Sequence, residues 1–320
     1  MSAAARSHLL LLACAAIWGF AFVAQRLGAD VVGAYTFIAA RNYLGAAALL
    51  PLVWLIDRRD NRDAAARRQA WARAVGPGLV IGVLLFAGSA LQQLGIEQTT
   101  AGNAAFVTGL YMVLVPLAGR FFGHATPVAT WAGIALAVPG LFLLTWTGTG
   151  MGPGDLLCLV GAVVWAFHIL TVGRASSATD PLRLSILQFV VAAVLATGAA
   201  PIAESRPFAG LGDAVGAVVF AGLVSTGIGY TLQVIGMRHA RASVAAMIMA
   251  LEAVFGALGG ALFLGERLTG RGLLGAGLMM AGILVTQIPS RRERAQEEAA
   301  LRAVEELPPV PEPPSTALRG

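Results

Sequence analysis

The chain contains no lysine. Its 22 cations are all arginine, and charged residues fill only 12% of its 320 positions. Soluble domains carry about 25% charged residues, so a chain that is 57% hydrophobic could not cover a water-facing surface. Cysteine is also scarce. Cys14 and Cys158 lie singly inside apolar runs, which excludes a disulfide framework or thiolate metal site and leaves two small buried groups. No G-x-S-x-G, H-E-x-x-H, phosphate-binding loop or paired C-x-x-C occurs, so the chain is expected to be neither an enzyme nor an ATP-driven pump, with no cofactor or metal. The net charge of +5 does not point to nucleic acid, because the arginines are spread through short loops instead of gathered on one face.

What is present is apolar sequence in long runs. About 20 apolar residues suffice to cross a bilayer core as a helix, and ten such spans fall at roughly 8–27, 33–56, 75–95, 100–119, 127–146, 155–173, 181–201, 213–236, 242–264 and 271–289. The fold class is therefore an all-α integral membrane protein with ten transmembrane helices. The first span continues through Trp18-Gly19-Phe20 without a small-residue cleavage site, so it is expected to be a retained helix, not a signal peptide. With the N-terminus inside, 17 arginines fall on inner segments against 4 on outer ones, Arg41 lying within a span. Positive-inside bias then places both termini in the cytoplasm, which ten spans satisfy. The segment 290–320 begins basic, turns acidic and ends Pro-rich, which predicts a cytoplasmic tail, partly disordered, whose first arginines suit anionic headgroups.

The sequence repeats itself. Leu91 onward, LQQLGIEQTTAGNAAFVTGLYMVL, aligns with LQVIGMRHARASVAAMIMALEAVF from Leu232, an offset of 141, and Trp18 aligns with Trp165 at an offset of 147. Gly133 to Gly140 aligns with Gly275 to Gly282. The first repeat is expected at 1–146 and the second at 155–289, joined by a linker at 147–154. Each copy has five spans, an odd number, so the second must lie upside down relative to the first. Inverted repeats are a device of secondary transporters, whose site forms near the midplane where the copies meet.

The repeat organises the costly polar residues. A charge within a span is expensive and a functional candidate by default. Glu252 is the carboxylate well inside a span, and its counterpart is Tyr111; Arg41, roughly 12 Å deep at 1.5 Å per residue, has Gln188 as counterpart. These four are expected to face a shared cavity, where Arg41 and Glu252 pair directly or through substrate; a static ion pair stapling two helices is the alternative. Trp18 and Trp165, at matching mid-span positions, either stack on a ligand or fill the core. His168, one turn after Trp165, is expected to be structural. Asn42, Gln92, Gln93, Asn103, Tyr230 and Gln233 are expected to bond between helices, and Gly78-x-x-x-Gly82 and Gly256-x-x-x-Gly260 to permit close helix approach. Pro116 and Pro139 are expected to kink their spans.

Trp18-Gly19-Phe20-Ala21-Phe22-Val23 with Ala40-Arg41-Asn42-Tyr43, then Leu251-Glu252-Ala253-Val254, Leu264-Gly265-Glu266-Arg267-Leu268-Thr269 and Gly275 through Val285, resemble an EamA domain of the drug/metabolite transporter superfamily. The resemblance covers all ten spans and implies an inverted-repeat exporter of amino acids, metabolites or amphipathic compounds in the bacterial cytoplasmic membrane. Its expected partners are a small-molecule substrate, membrane lipid and, with Glu252 as carrier, protons as coupling ion. Two departures stand out. Ala253 replaces the family's proline, which predicts a less kinked ninth helix, and in the first copy Tyr111 and His124-Ala125-Thr126 replace the acidic residue and the turn. An uncoupled channel would keep the cavity but need no coupling carboxylate. A non-transporting receptor would need neither.

Overall fold

The computed structural model describes residues 3–99, 101–123, 125–145, 151–263, 265, 267–286 and 288. The tail at 290–320, the linker residues 147–150, and His124, Leu264 and Glu266 of the two turns lie outside the described residues. Among those described every regular element is helical, as lipid demands: with no water to bond exposed backbone, a span must satisfy its own N–H and C=O groups.

Among the described residues ten helices follow one another. They are α1 (Ala3–Ala29), α2 (Ala34–Arg59), α3 (Ala64–Gln98), α4 (Ala101–Gly109 and Tyr111–Phe121), α5 (Val128–Thr145), α6 (Pro153–Ser176), α7 (Pro181–Ala203), α8 (Val215–Gly236), α9 (Ala242–Met249 and Glu252–Phe263) and α10 (Gly270–Thr286). Nine are long and apolar enough to cross a membrane, and α10 is a shorter apolar helix. Boundaries differ from the expected spans chiefly at α3, which runs 35 residues instead of about 20. Its first turns carry Arg67, Arg68 and Arg73 beyond the apolar stretch, and Asp63 starts it by accepting a hydrogen bond from Ala66 N at 2.7 Å.

Three helices are irregular. In α4 the break falls at Leu110, and not at Pro116, which lies within an unbroken segment. In α9 the break falls at Ala250 and Leu251, 141 residues later. The helix therefore breaks even with Ala253 in place of the family's proline. Short-range bonds from Leu251 N to Ile248 O and from Val254 N to Leu251 O tighten the turn with no proline present. In α8, residues Phe220–Tyr230 form a π-helix, a wider turn common near functional sites.

Small residues set the packing. Helix α5 lies against α10, where a Cβ on Gly140 would stand 2.6 Å from the Gly275 carbonyl oxygen, while Gly133 meets Gly282. Gly78 and Gly82 of α3 press on Leu187 and Val191 of α7, and Gly256 of α9 packs near Gly19 of α1. Cys158 fits against Gly95, and both cysteines are fully buried. Helix α2 packs on α7 and α8, α1 on α8 and α9, and α3 on α6 and α7. This leaves α1, α3, α4, α6, α8 and α9 around the centre, with α2 reaching in and the α5–α10 pair to one side.

Candidate functional site

At that centre is a cavity of about 40 Å³ lined by Trp18 from α1, Arg41 from α2, Gln92 from α3, Thr108 and Tyr111 from α4, Trp165 from α6, Tyr230 and Gln233 from α8, and Glu252 from α9, among others. A cavity needs about 10–15 Å³ on this measure to hold one water, so a few waters fit and an organic molecule does not. Ligand entry therefore requires the helices to part.

The breaks in α4 and α9 position the first pair. Tyr111 and Glu252 each begin the second segment of a broken helix, and the Tyr111 hydroxyl donates to Glu252 Oε1 at 3.1 Å. Both side chains are buried. The two residues that correspond at an offset of 141 thus meet each other directly.

Arg41 is the second feature. Its guanidinium donates to Ser89 Oγ at 2.8 Å, its Nε has no partner among the described residues, and only 4% of the residue is exposed. No described carboxylate lies within ion-pair distance of it. The direct Arg41–Glu252 pair, and the static staple it would have made, are therefore absent from this structure. A cation and a carboxyl group line one small cavity, each held by a neutral partner. A buried arginine without a counter-charge is expensive, and nothing among the described residues supplies that charge.

Aromatic rings form the rest of the wall. Trp18 Nε1 donates to the Ser225 carbonyl at 3.3 Å, within the π-helix, and its ring stands 4.6 Å from that of Tyr230. Trp165 Nε1 donates to Gln92 Oε1 at 3.0 Å, and its ring stacks 6.2 Å from Tyr230 on the other side. Each tryptophan rests on a glycine. A Cβ at Gly229 would fall 2.8 Å from Trp18, and one at Gly88 would fall 2.9 Å from Trp165.

Of the expected site residues, Trp18, Arg41, Tyr111, Trp165 and Glu252 line this cavity. Gln188 does not. It is fully buried against His168, whose Nε2 lies 3.1 Å from Gln188 Oε1, because α7 turns that position toward α6 instead of the centre. Gln92 and Gln233, expected only as helix–helix partners, line the cavity as well as bonding across helices, Gln233 to Met249 Sδ at 3.6 Å. Asn42 bonds within its own helix, to Ile38 O. Sequence reasoning missed Ser89, Thr108 and Ser225. Small hydroxyls in an apolar run carry no signal of which face they occupy.

The sequence model of the EamA-like transporter family matches this chain twice, over residues 5–146 and again over 152–288. The chain belongs to the EamA-like transporter family. Among its relatives, the threonine/homoserine exporter RhtA of Escherichia coli (strain K12) is 30% identical over 271 residues, covering 82% of this chain and 84% of that one. An uncharacterized transporter of Archaeoglobus fulgidus is 25% identical over 256 residues, covering 80% and 77%. A solved crystal structure with 18% sequence identity superposes with a TM-score of 0.71 over 91% of this chain and 98% of the other, a likeness of fold alone. EamA-like membership makes this a multi-pass membrane transporter rather than an enzyme.

Proposed function

We propose that the protein is a secondary exporter of small amino acids or related zwitterionic metabolites, working by alternating access between two inverted five-helix repeats, 1–146 and 155–289. The observation that carries this reading is the Tyr111–Glu252 bond at the wall of a cavity that also holds an uncompensated Arg41. In an inverted repeat, corresponding positions approach each other at the symmetry axis, and the contact between Tyr111 and Glu252, 141 residues apart, supports that arrangement. Arg41 would take a carboxylate, Glu252 would take an ammonium or a proton, and the tryptophan–tyrosine stack would cover the apolar part. The threonine/homoserine activity named for the Escherichia coli relative is of this chemical class.

The packing supports the same symmetry. Gly133 meets Gly282 and Gly140 meets Gly275, so the repeat carries one contact onto the other. Gly88 under Trp165 and Gly229 under Trp18 form a second pair of this kind. On the arginine distribution both termini are cytoplasmic, in a bacterial inner membrane. A separate cavity of about 510 Å³, lined by Val115, Arg174, Arg241 and Ser243 among others, then opens on the cytoplasmic side. Val115 lies one turn beyond Tyr111, so this vestibule leads toward the central site.

Glu252 is the group proposed to exchange a proton for substrate. Purified protein in liposomes, with an imposed pH gradient and a panel of amino acids and lipophilic cations, tests the reading. Gradient-driven accumulation of a small zwitterion is expected. No flux of any compound would remove it, and unitary currents in a planar bilayer would favour an uncoupled channel.

A further inference from the structure

Two groups of short, charge-assisted contacts lie outside the central cavity, at the two ends of the α2–α7 pair. At one end Asp57, in the last turn of α2, accepts from Arg183 Nη2 through both carboxylate oxygens, at 2.6 and 2.5 Å. Arg183 stands in the first turn of α7, is 1% exposed, and also donates to Asp180 Oδ2 at 2.9 Å. Arg62 closes the cluster, 3.6 Å from Asp57 and 3.4 Å from Asp180. At the other end Glu204, just past α7, accepts from the backbone N–H of Tyr35 at 2.7 Å, from that of Thr36 at 2.9 Å and from the Thr36 hydroxyl. Thr36 stands in the first turn of α2.

These two ends correspond. Asp57 and Glu204 are 147 residues apart, and so are Thr36 and Arg183, the spacing that also separates Trp18 from Trp165. In each case a carboxylate ending one helix grips the first turn of its partner from the other repeat. The geometry is shared, but the chemistry is not. One end is an ionic cluster in which buried Arg183 and partly exposed Arg62 share Asp57 and Asp180, Arg62 also reaching the exposed Asp60 at 3.3 Å. The other is a single carboxylate on a helix N-terminus, with neutral donors.

We propose that the Asp57–Arg183 cluster and the Glu204–Thr36 contact are paired latches that determine which face of the membrane the central site opens to. The proposal rests on the alternating-access reading above. Both latches are closed in this structure and the cavity is too small for substrate, which describes an occluded arrangement. Rocking one repeat against the other separates α2 from α7 at one end at a time. Opening to the cytoplasm breaks the Asp57 cluster, and opening outward breaks the Glu204 contact. The unequal chemistry biases the cycle, since the ionic cluster is harder to part than the neutral-donor contact.

The test is side-specific accessibility of a cysteine placed at Ser225, one of the residues lining the cavity, to a membrane-impermeant maleimide in vesicles of defined orientation. Cys14 and Cys158 are fully buried and stay in place. Arg183→Gln is expected to raise labelling from the cytoplasmic face by about tenfold or more, a factor that one lost charge-assisted contact supplies. Glu204→Gln is expected to raise it from the outer face. If Arg183→Gln does not reach the membrane, the charge-neutral double variant Asp57→Asn with Arg183→Gln is used, and Thr36→Val gives an independent outer-face result. Folded variants that change labelling on both faces equally, or on neither, overturn the latches and leave them as static staples. A parent protein labelled from one face only, under all substrate and pH conditions, would instead overturn alternating access itself.

Discussion

Glu252→Gln separates coupling from folding more cleanly than any other change at the central site. The amide keeps the shape and an oxygen that can still accept from the Tyr111 hydroxyl 3.1 Å away, so the broken turn of α9 keeps its contact. It removes only the ability to take up and release a proton. Exchange of one proton for one substrate converts an imposed difference of one pH unit, about 1.4 kcal/mol, into a substrate ratio of about tenfold. The sign follows from exchange: vesicles one unit more acidic inside than outside lose protons and accumulate substrate. The parent protein is expected to reach that ratio, and Glu252→Gln to fall to simple equilibration while counterflow of labelled against unlabelled substrate persists. Tyr111→Phe behaves differently. It withdraws the hydroxyl donor from a buried carboxyl, an interaction of about 1.5–3 kcal/mol when the acceptor is charged. It should weaken substrate binding and lower the melting temperature without uncoupling. Accumulation by Glu252→Gln at the parent ratio would refute the assignment of the coupling proton to this residue.

Three further outcomes follow from the same geometry. Arg41→Gln, which removes the uncompensated cation, should abolish binding of carboxylate-bearing substrates while leaving stability equal or higher, measured by substrate-induced thermal shift; Arg41→Lys should not restore it fully, because an ammonium cannot hold Ser89 through one nitrogen and present a planar donor pair to a carboxylate with the others. Gly88→Ala and Gly229→Ala each drive a methyl to within 3 Å of a tryptophan ring. Each should cost about 1–3 kcal/mol and reduce transport to a similar degree, and a large effect at one site with none at the other would count against the repeat. Gly140→Ala sets a methyl against the Gly275 backbone, which cannot rotate away. It should lower the melting temperature with little change in substrate affinity, because α5 and α10 do not line the cavity.

Much of this architecture was legible in the residues, and the places where it was not have physical causes. Apolar run length set ten spans, of which nine are long and apolar enough to cross a membrane among the described residues. Self-similarity marked Tyr111 and Glu252, and the glycines of α5 and α10, as corresponding positions without predicting that they touch. The direct Arg41–Glu252 pairing failed because depth in a span says how costly a charge is, not which neighbour relieves it. Here neutral groups, Ser89 and Tyr111, take both roles. Gln188 failed for a related reason. It lies 147 residues from Arg41, but the side chain is taken by His168, while the position 147 residues before His168 is Ala21, which offers no such partner.

The π-helix in α8 was invisible for a different reason, and the packing explains it. Gly82 of α3 presses on Val191 of α7, and Gly222 of α8 presses on Leu44 of α2. Leu44 and Val191 correspond at 147, while Gly82 and Gly222 are 140 apart. Six residues later in α3, Gly88 meets Trp165, and its equivalent under Trp18 is Gly229, 141 away. Between these two contacts α8 has therefore gained one residue relative to α3, and the π-helix at Phe220–Tyr230 spans the interval in which it was gained. A wider turn absorbs an extra residue without rotating the rest of the helix by about 100°. Both glycine contacts can then be kept on the same face. The insertion also leaves the Ser225 carbonyl positioned to accept from Trp18 Nε1, a bond for which the first copy uses the Gln92 side chain to reach Trp165. In sequence this is a drift of one in an offset. In the folded chain it accompanies a cavity wall in which one tryptophan bonds a backbone carbonyl and the other a side chain.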